Sequence, residues 1–442
     1  MDHQDAKDAG ALSFLRPLVS DVRIAAMLVL GFASGVPYQL VYITQSAWLY
    51  EAKVPIGTIG ILSELTLAYK LKFVWAPFLD RYDPPVLGRL LGRRRGWIVA
   101  SQIAVMAALA GIALGDPGQW LAWTIVFSLA LGFAGATQDV VIDGWRINVA
   151  PSERQALMAS WSEVGYRVGV LAAGAGALLL ADRVGWRSAY ICMAGLMTVS
   201  MVAAFFAPEP ESDKTATHPP LSFVSTVVAP IRELVTRLAP MALMILVLIA
   251  GFRMPGYISN AMAVPLFKSL NYSDTDIATV TKLFGFWVGL AGTFFASFVM
   301  PRLGMMPSLM IGTVAGSASH LALAWLAAHG ARDGTDFWTF AIAVSIDSFA
   351  YAFASIVLIT YMSSLTTTQL AASQFALLTS ICALPGSLVA GVSGYFVHWL
   401  GFERFFIATS LIGAPVAFLC WRVWRKQGRT MEATGRGEIV AH

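Results

Sequence analysis

Charge is what this sequence lacks most. Asp, Glu, Lys and Arg together make up 13% of its 442 residues, where a soluble domain carries roughly 25%. A large buried core would raise the apolar fraction without removing a charged surface, so the shortage excludes an ordinary soluble protein. Cysteine is nearly absent as well. Cys192, Cys382 and Cys420 lie in apolar stretches with no paired spacing, which argues against a disulfide framework or a thiolate metal site. The histidines are scattered: His3, His218 and His442 fall in tails or loop, and His320, His329 and His398 are far apart. No His-Glu-x-x-His, Gly-x-Ser-x-Gly or phosphate-binding glycine loop occurs. Neither a catalytic site nor a metal, a cofactor, a nucleic-acid partner or an ATP-driven pump is expected. The polar N-terminal segment lacks the apolar region and small-residue cleavage site of a secretory signal peptide.

Apolar residues fill the space that charge leaves. They make up 57% of the chain, and the mean hydropathy is +0.67. A helix crosses a hydrocarbon layer of roughly 30 Å with about 20 such residues. Windows bounded by charge, Pro and Gly predict twelve spans: 24–49, 57–79, 97–115, 119–146, 156–181, 188–207, 238–269, 275–300, 304–328, 335–362, 370–397 and 402–424. The runs are continuous, whereas a β-barrel would alternate. The expected fold class is therefore an all-α membrane protein with twelve transmembrane helices.

The longest break begins Ala207-Pro208-Glu209-Pro210-Glu211 and divides the spans six and six. The expected organisation is a cytoplasmic tail (1–23), a six-helix bundle (24–207), a central cytoplasmic loop (208–237), a second six-helix bundle (238–424) and a C-terminal cytoplasmic tail (425–442). The halves share a pattern. Ala-Asp-Arg-Val-Gly-Trp-Arg-Ser-Ala-Tyr (181–190) follows the fifth span, and Val-His-Trp-Leu-Gly-Phe-Glu-Arg-Phe-Phe (397–406) follows the eleventh. A six-plus-six repeat about a central loop is the major facilitator architecture. Orientation follows from Lys and Arg, of which 19 of the 30 fall on the N-terminal side of the bilayer and six on the other. Positive charge stays inside, which puts both termini in the cytoplasm.

Ionisable residues within spans are costly unless they face a cavity or a partner. Asp139 and Asp143 sit four apart on one helical face, as do Glu163 and Arg167 on the next helix. Two carboxylates near basic groups could carry a proton or bind a cation. Asp139 is assigned to a cavity, and Asp143, one turn nearer the cytoplasm, to gating. Lys72 either snorkels or joins the site. Arg253 lies beside Pro255 and Gly256, where a broken helix exposes backbone groups, and Asp347 lies mid-span on the tenth helix. Arg167 and Arg253, in opposite halves, are candidates for binding an anionic substrate. Between the second and third spans stand Asp80-Arg81-Tyr82 and Gly92-Arg93-Arg94-Arg95-Gly96. An acid closing one helix and an arginine-rich loop can latch two helix ends on one face, with Asp143 available to complete the set.

Longer strings carry a family resemblance. Lys72-Phe73-Val74-Trp75-Ala76-Pro77-Phe78-Leu79-Asp80-Arg81-Tyr82 closes the second span. Thr137-Gln138-Asp139-Val140-Val141-Ile142-Asp143-Gly144-Trp145 lies on the fourth, and Gly165-Tyr166-Arg167-Val168-Gly169 on the fifth. With Lys282-Leu283-Phe284-Gly285 and Gln374-Phe375-Ala376-Leu377, the chain resembles AmpG-type muropeptide permeases of the major facilitator superfamily. The resemblance implies a bacterial inner-membrane importer, proton-driven, for anhydro-muropeptides from cell-wall turnover. The wider group also includes acetyl-CoA and siderophore transporters, so another polar or anionic solute stays open. A membrane-embedded enzyme is the alternative from a different class. The expected partners are a small polar solute, protons and the lipid bilayer, with the protein acting as a monomer.

Overall fold

The computed structural model describes residues 17–63, 67–210, 223–331 and 334–439, and the regular structure among them is entirely helical. The spans are α1 (Val22–Glu51), α2 (56–81), α3 (Arg93–Leu114), α4 (Leu121–Val149), α5 (Ser152–Val184) and α6 (Trp186–Phe206), then α7 (Ala242–Ser269), α8 (Asp274–Leu303), α9 (Met305–His329), α10 (Phe337–Ser364), α11 (368–400) and α12 (402–427). Eleven stretches among the described residues are long and apolar enough to cross a bilayer. The twelfth span, α2, is broken near its end: among the described residues Ile56–Ser63 and Leu67–Leu71 are helical, and a tight turn at Lys72–Val74 separates Leu67–Leu71 from Ala76–Arg81. Pro77 starts the last piece and has no N–H to give the preceding turn, so the ladder breaks just before it. Glu64, within this span, lies outside the described residues.

Each start and stop has a local cause. Asp21 caps α1 by accepting from the Arg23 amide at 3.0 Å. Its carboxyl also meets the Arg23 guanidinium at 2.9 Å and Arg154 at 2.7 Å. The Arg23 hydrogen bond, above all, holds it below the usual carboxylate range. α1 and α5 each carry one wide turn, at Leu40–Thr44 and Ala172–Gly176. A wide turn frees backbone carbonyls, and here the Thr44 hydroxyl donates to the Ala173 carbonyl at 2.7 Å, pinning the two irregularities together.

The chain forms two compact units. The first is Met1–Ile231 with Thr366–Leu377, and the second is Arg232–Leu365 with Leu378–His442. In the first, Leu40, Leu109, Leu131, Tyr190 and Met197 are buried together. In the second the buried cluster includes Ile258, Leu266, Leu323, Phe340 and Phe406. The internal repeat reaches down to single dihedral angles. Gly185 before α6 has φ 82° and ψ 159°, and its aligned partner Gly401 before α12 has φ 75° and ψ 164°. A second pair, with no sequence match to announce it, is Gly92 before α3 (84°, 175°) and Gly304 before α9 (85°, 171°). Both pairs use a conformation that a Cβ would strain.

Two expected boundaries change. The central segment is not all loop: 223–238 is a helix, Phe223–Leu238, while 211–222 lies outside the described residues. Val224, Val228, Ile231, Leu234, Val235 and Leu238 recur at helical spacing, but charge keeps the run below the hydropathy of a span. The C-terminal tail likewise continues the last helix to Ile439.

α1 and α5 touch backbone to backbone. A Cβ on Gly165 would overlap the Leu28 carbonyl and one on Gly169 the Phe32 carbonyl, while Gly31 and Gly35 stand the same way against Ser162 and Tyr166. Small residues four apart permit this approach, and in lipid such packing drives helix association. Gly165→Leu should therefore force α1 and α5 apart and lower stability by about 1–3 kcal/mol or more, the usual cost of overpacking. Melting of the purified protein in detergent checks this; an unchanged midpoint would show that the close approach is not needed.

Candidate functional site

Two of the sequence strings prove to be one contact region. Lys72, in the break of α2, is buried and its ammonium donates to Asp139 on α4. Three residues on, the Trp75 indole donates to Thr137 at 3.0 Å and stacks on Phe133 at 4.1 Å. Tyr69 lies edge-on to Tyr38 of α1 at 5.1 Å, and its buried hydroxyl has no hydrogen-bond partner among the described residues. The broken helix thus presents a cation, a carboxylate and tyrosine rings on one side of the first unit. Lys72 does not snorkel.

Two further charge pairs lie on spans of this unit. Arg167 meets Glu163 at 2.9 Å, one turn apart on α5, with both side chains partly exposed. Asp143 meets Arg146 at 3.4 Å. Arg146 is buried, donates to Gln155 at 3.1 Å and lies over the Phe375 ring. In the second unit α7 is interrupted at Arg253, as Pro255 predicts. Its guanidinium donates to Ser355 on α10 and lies 5.1 Å from the Tyr351 ring centre. Asp347 on α10 accepts from Ser319 at 2.8 Å and lies 3.9 Å from the His320 ring.

At the α2–α3 turn Asp80 is a hub. Its buried carboxylate meets Arg94 at 2.8 Å and accepts from the Ser373 amide at 2.7 Å, the Ala372 amide at 3.3 Å and the Ser373 hydroxyl. Ala372 and Ser373 lie in the first turn of the helical run that begins at Ala371, where amides lack helical partners and the dipole favours an anion. Arg93 donates to the Asp80 carbonyl at 2.8 Å and meets Asp83 at 2.7 Å. Arg95 donates to the Leu91, Phe205 and Ala207 carbonyls. Arg81 and Asp143 stay out of this network: Arg81 lies against Tyr82, and Asp143 is held by Arg146.

This architecture has a counterpart among known proteins. The sequence profile of the Major Facilitator Superfamily matches residues 27–390. The chain belongs to that superfamily. Within it, the chain joins the AmpG-type permeases. It is 32% identical over 404 residues to an anhydromuropeptide permease of Escherichia coli (strain K12), covering 90% of this chain and 79% of that one. It is 29% identical to a putative AmpG transporter of Rickettsia felis, covering 91% and 96%. Two solved structures share the fold. One is the proton:xylose symporter XylE, with 12% identity and a TM-score of 0.63 over 91% of this chain and 94% of that one. The other is the human organic anion transporter MFSD10, with 14% identity and a TM-score of 0.65 over 92% and 99%. This major facilitator protein is thus a multi-pass membrane transporter for a small solute, and not an enzyme.

Two residues of this transporter escaped sequence reading. Glu209 accepts from the Arg94 and Arg95 amides at 2.8 and 3.0 Å, capping α3. A Cβ on Gly92 would fall within 2.6 Å of its carboxylate. It reads as part of a Pro-Glu-Pro loop, and only the fold returns it to α3. His320 reads as one scattered histidine, yet it faces Asp347.

Removing Asp80 leaves Arg94 buried without its carboxylate. Asp80→Ala should cost roughly 3–5 kcal/mol, as for other broken buried pairs. Asp83→Asn, at a largely exposed carboxylate, should cost under about 1 kcal/mol. Denaturant titration of both variants tests the contrast, and equal losses would reduce Asp80 to a topology anchor.

Proposed function

We propose that this transporter imports anhydro-muropeptides across the bacterial inner membrane by proton symport and alternating access, working as a monomer with both termini in the cytoplasm. The observation that carries the substrate reading is the 32% identity, over 90% of the chain, to an anhydromuropeptide permease. The chemistry of the first unit supports it. A muropeptide brings sugar rings and peptide carboxylates. Tyr38 and Tyr69 offer ring faces, the Tyr69 hydroxyl is without a hydrogen-bond partner among the described residues, and Lys72 and Arg167 offer cations whose present partners are carboxylates. A substrate carboxylate can displace Asp139 from Lys72, or Glu163 from Arg167, without leaving the cation unpaired. Asp80 and its arginines then serve as the latch. Releasing Ala372 and Ser373 from the Asp80 carboxylate is the step that opens the cytoplasmic side.

The test is uptake into membrane vesicles with the inside made alkaline. Labelled anhydro-muropeptide should accumulate by up to about tenfold per coupled proton and pH unit, since about 1.4 kcal/mol is a factor of ten. A protonophore should abolish the accumulation. Uptake of a siderophore or a CoA ester in place of the muropeptide would replace the substrate, and accumulation indifferent to the protonophore would remove the proton.

Orientation is checked separately. Reporter fusions after Arg95 should report cytoplasm, and fusions after Gly330 the far side, because the Lys and Arg excess lies with Arg93, Arg94 and Arg95. The reverse pattern would invert the topology.

A further inference from the structure

Three carboxylates deep in the first unit, Asp139, Asp143 and Glu163, each face a Lys or Arg. An ammonium or a guanidinium does not ordinarily exchange its proton between pH 5 and 8. Asp347 is differently placed. Its partners are a hydroxyl and an imidazole, and imidazole is the side chain whose ordinary titration falls between pH 5 and 8. Counted from the helix ends at His329 and Phe337, His320 is nine residues back along α9 and Asp347 ten residues into α10. At 1.5 Å per residue both lie about 15 Å deep, near the middle of a bilayer core.

The local geometry accommodates either protonation state. Ser319 Oγ lies 2.8 Å from Asp347 Oδ1 and 3.1 Å from the Gly316 carbonyl. A hydroxyl has one hydrogen to give and two lone pairs to receive with. When Asp347 is ionised, Ser319 donates to it. When Asp347 is protonated, its O–H donates to Ser319, which turns its own hydrogen to the Gly316 carbonyl. Both arrangements are satisfied without moving a heavy atom. The ring of His320 is buried while the Asp347 side chain keeps some exposure, so the carboxylate is the member through which a proton comes and goes.

Among the described residues no other charged side chain meets the pair. α12 turns the Thr409 backbone toward the ring, and its own Glu403, Arg404 and Arg422 are exposed. On α7, Arg253 holds Ser355, two turns along α10 from Asp347, and Lys268 is exposed beside Asp274. On α8, Lys282 is exposed. On α9 itself, His329 stacks on Trp325 at the helix end.

We propose that Asp347, Ser319 and His320 form the proton-binding site of this transporter, leaving the Lys72–Asp139 pair to the substrate. The assignment rests on the proton-coupled reading above and gives its proton a place. With one titratable proton on either the carboxylate or the imidazole the pair is neutral overall, which suits its depth. A second proton arrives from water at the Asp347 carboxylate. The charge passes to the His320 imidazolium, and the same carboxyl returns one proton to water after access has changed sides.

The experiment compares pH-gradient-driven accumulation with counterflow of labelled anhydro-muropeptide in proteoliposomes. Asp347→Asn should lose gradient-driven accumulation by at least about tenfold, a coupling usual for linked sites, and lose counterflow much less. Asp347→Glu should restore part of the accumulation. His320→Gln should flatten the dependence of uptake on pH between about 5 and 8, the imidazole range. If the wild type ignores the gradient, the proton-coupled reading fails. If it responds and Asp347→Asn accumulates normally, that reading stands and this assignment falls. Should the variants not fold, nitrogen NMR of histidine-labelled wild type decides. A His320 ring that changes charge or tautomer between about pH 5 and 8 supports the site, and one that changes neither overturns it.

Discussion

A charge carried into hydrocarbon must bring its partner with it, and the rest of this structure is arranged around that constraint. The buried ends of Lys72, Arg94 and Arg146 each meet a carboxylate from the same unit. The backbone obeys the same rule where helices are interrupted. The wide turns of α1 and α5 meet through Thr44, and the first-turn amides at Ala372 and Ser373 are received by Asp80. At these places backbone groups without a helical partner are met by a group from another span.

These pairings differ in what can move them, and that difference separates structure from function. Asp80 and Arg94 are both sealed and joined to each other, and Asp80 also accepts from backbone donors, so their separation has to be concerted. Lys72–Asp139 and Arg167–Glu163 are simpler pairs with partly exposed carboxylates, open to exchange with another anion. Asp347 and His320 differ again, because both members can change charge. The proposed mechanism uses all three kinds: a hold that breaks as one, a cation that exchanges partners, and a group that takes and gives a proton.

The strings that carry the family resemblance turn out to be contact surfaces. Lys72 to Trp75 meets Phe133 to Asp139, and Gly165 with Gly169 lies on the carbonyls of α1. Segments far apart in the chain are therefore tied by a shared need for small size, hydrogen bonding or charge. The paired glycines before α3 and α9, and before α6 and α12, extend the same logic to the duplication, since equivalent turns keep the one residue that tolerates their dihedral angles.

By itself the sequence determined the number of spans, their order and the candidate charges, because a helix in lipid needs a long apolar run and each interruption by charge is visible in one dimension. It also marked the break beside Pro255, since a missing N–H is a local property. It could not say which charge meets which. Asp143 stood as near Asp80 as to any partner on paper, yet it lies beside Arg146, one turn along its own helix. Glu209 looked like loop and His320 like a stray, because their partners come from other spans. The helix at Phe223–Leu238 was hidden because its apolar face is too narrow for a hydropathy window. Partnership depends on helix rotation and depth, which side-chain packing sets across the whole unit. Only the tertiary structure decided that Asp347 faces an imidazole where Asp139 faces an ammonium.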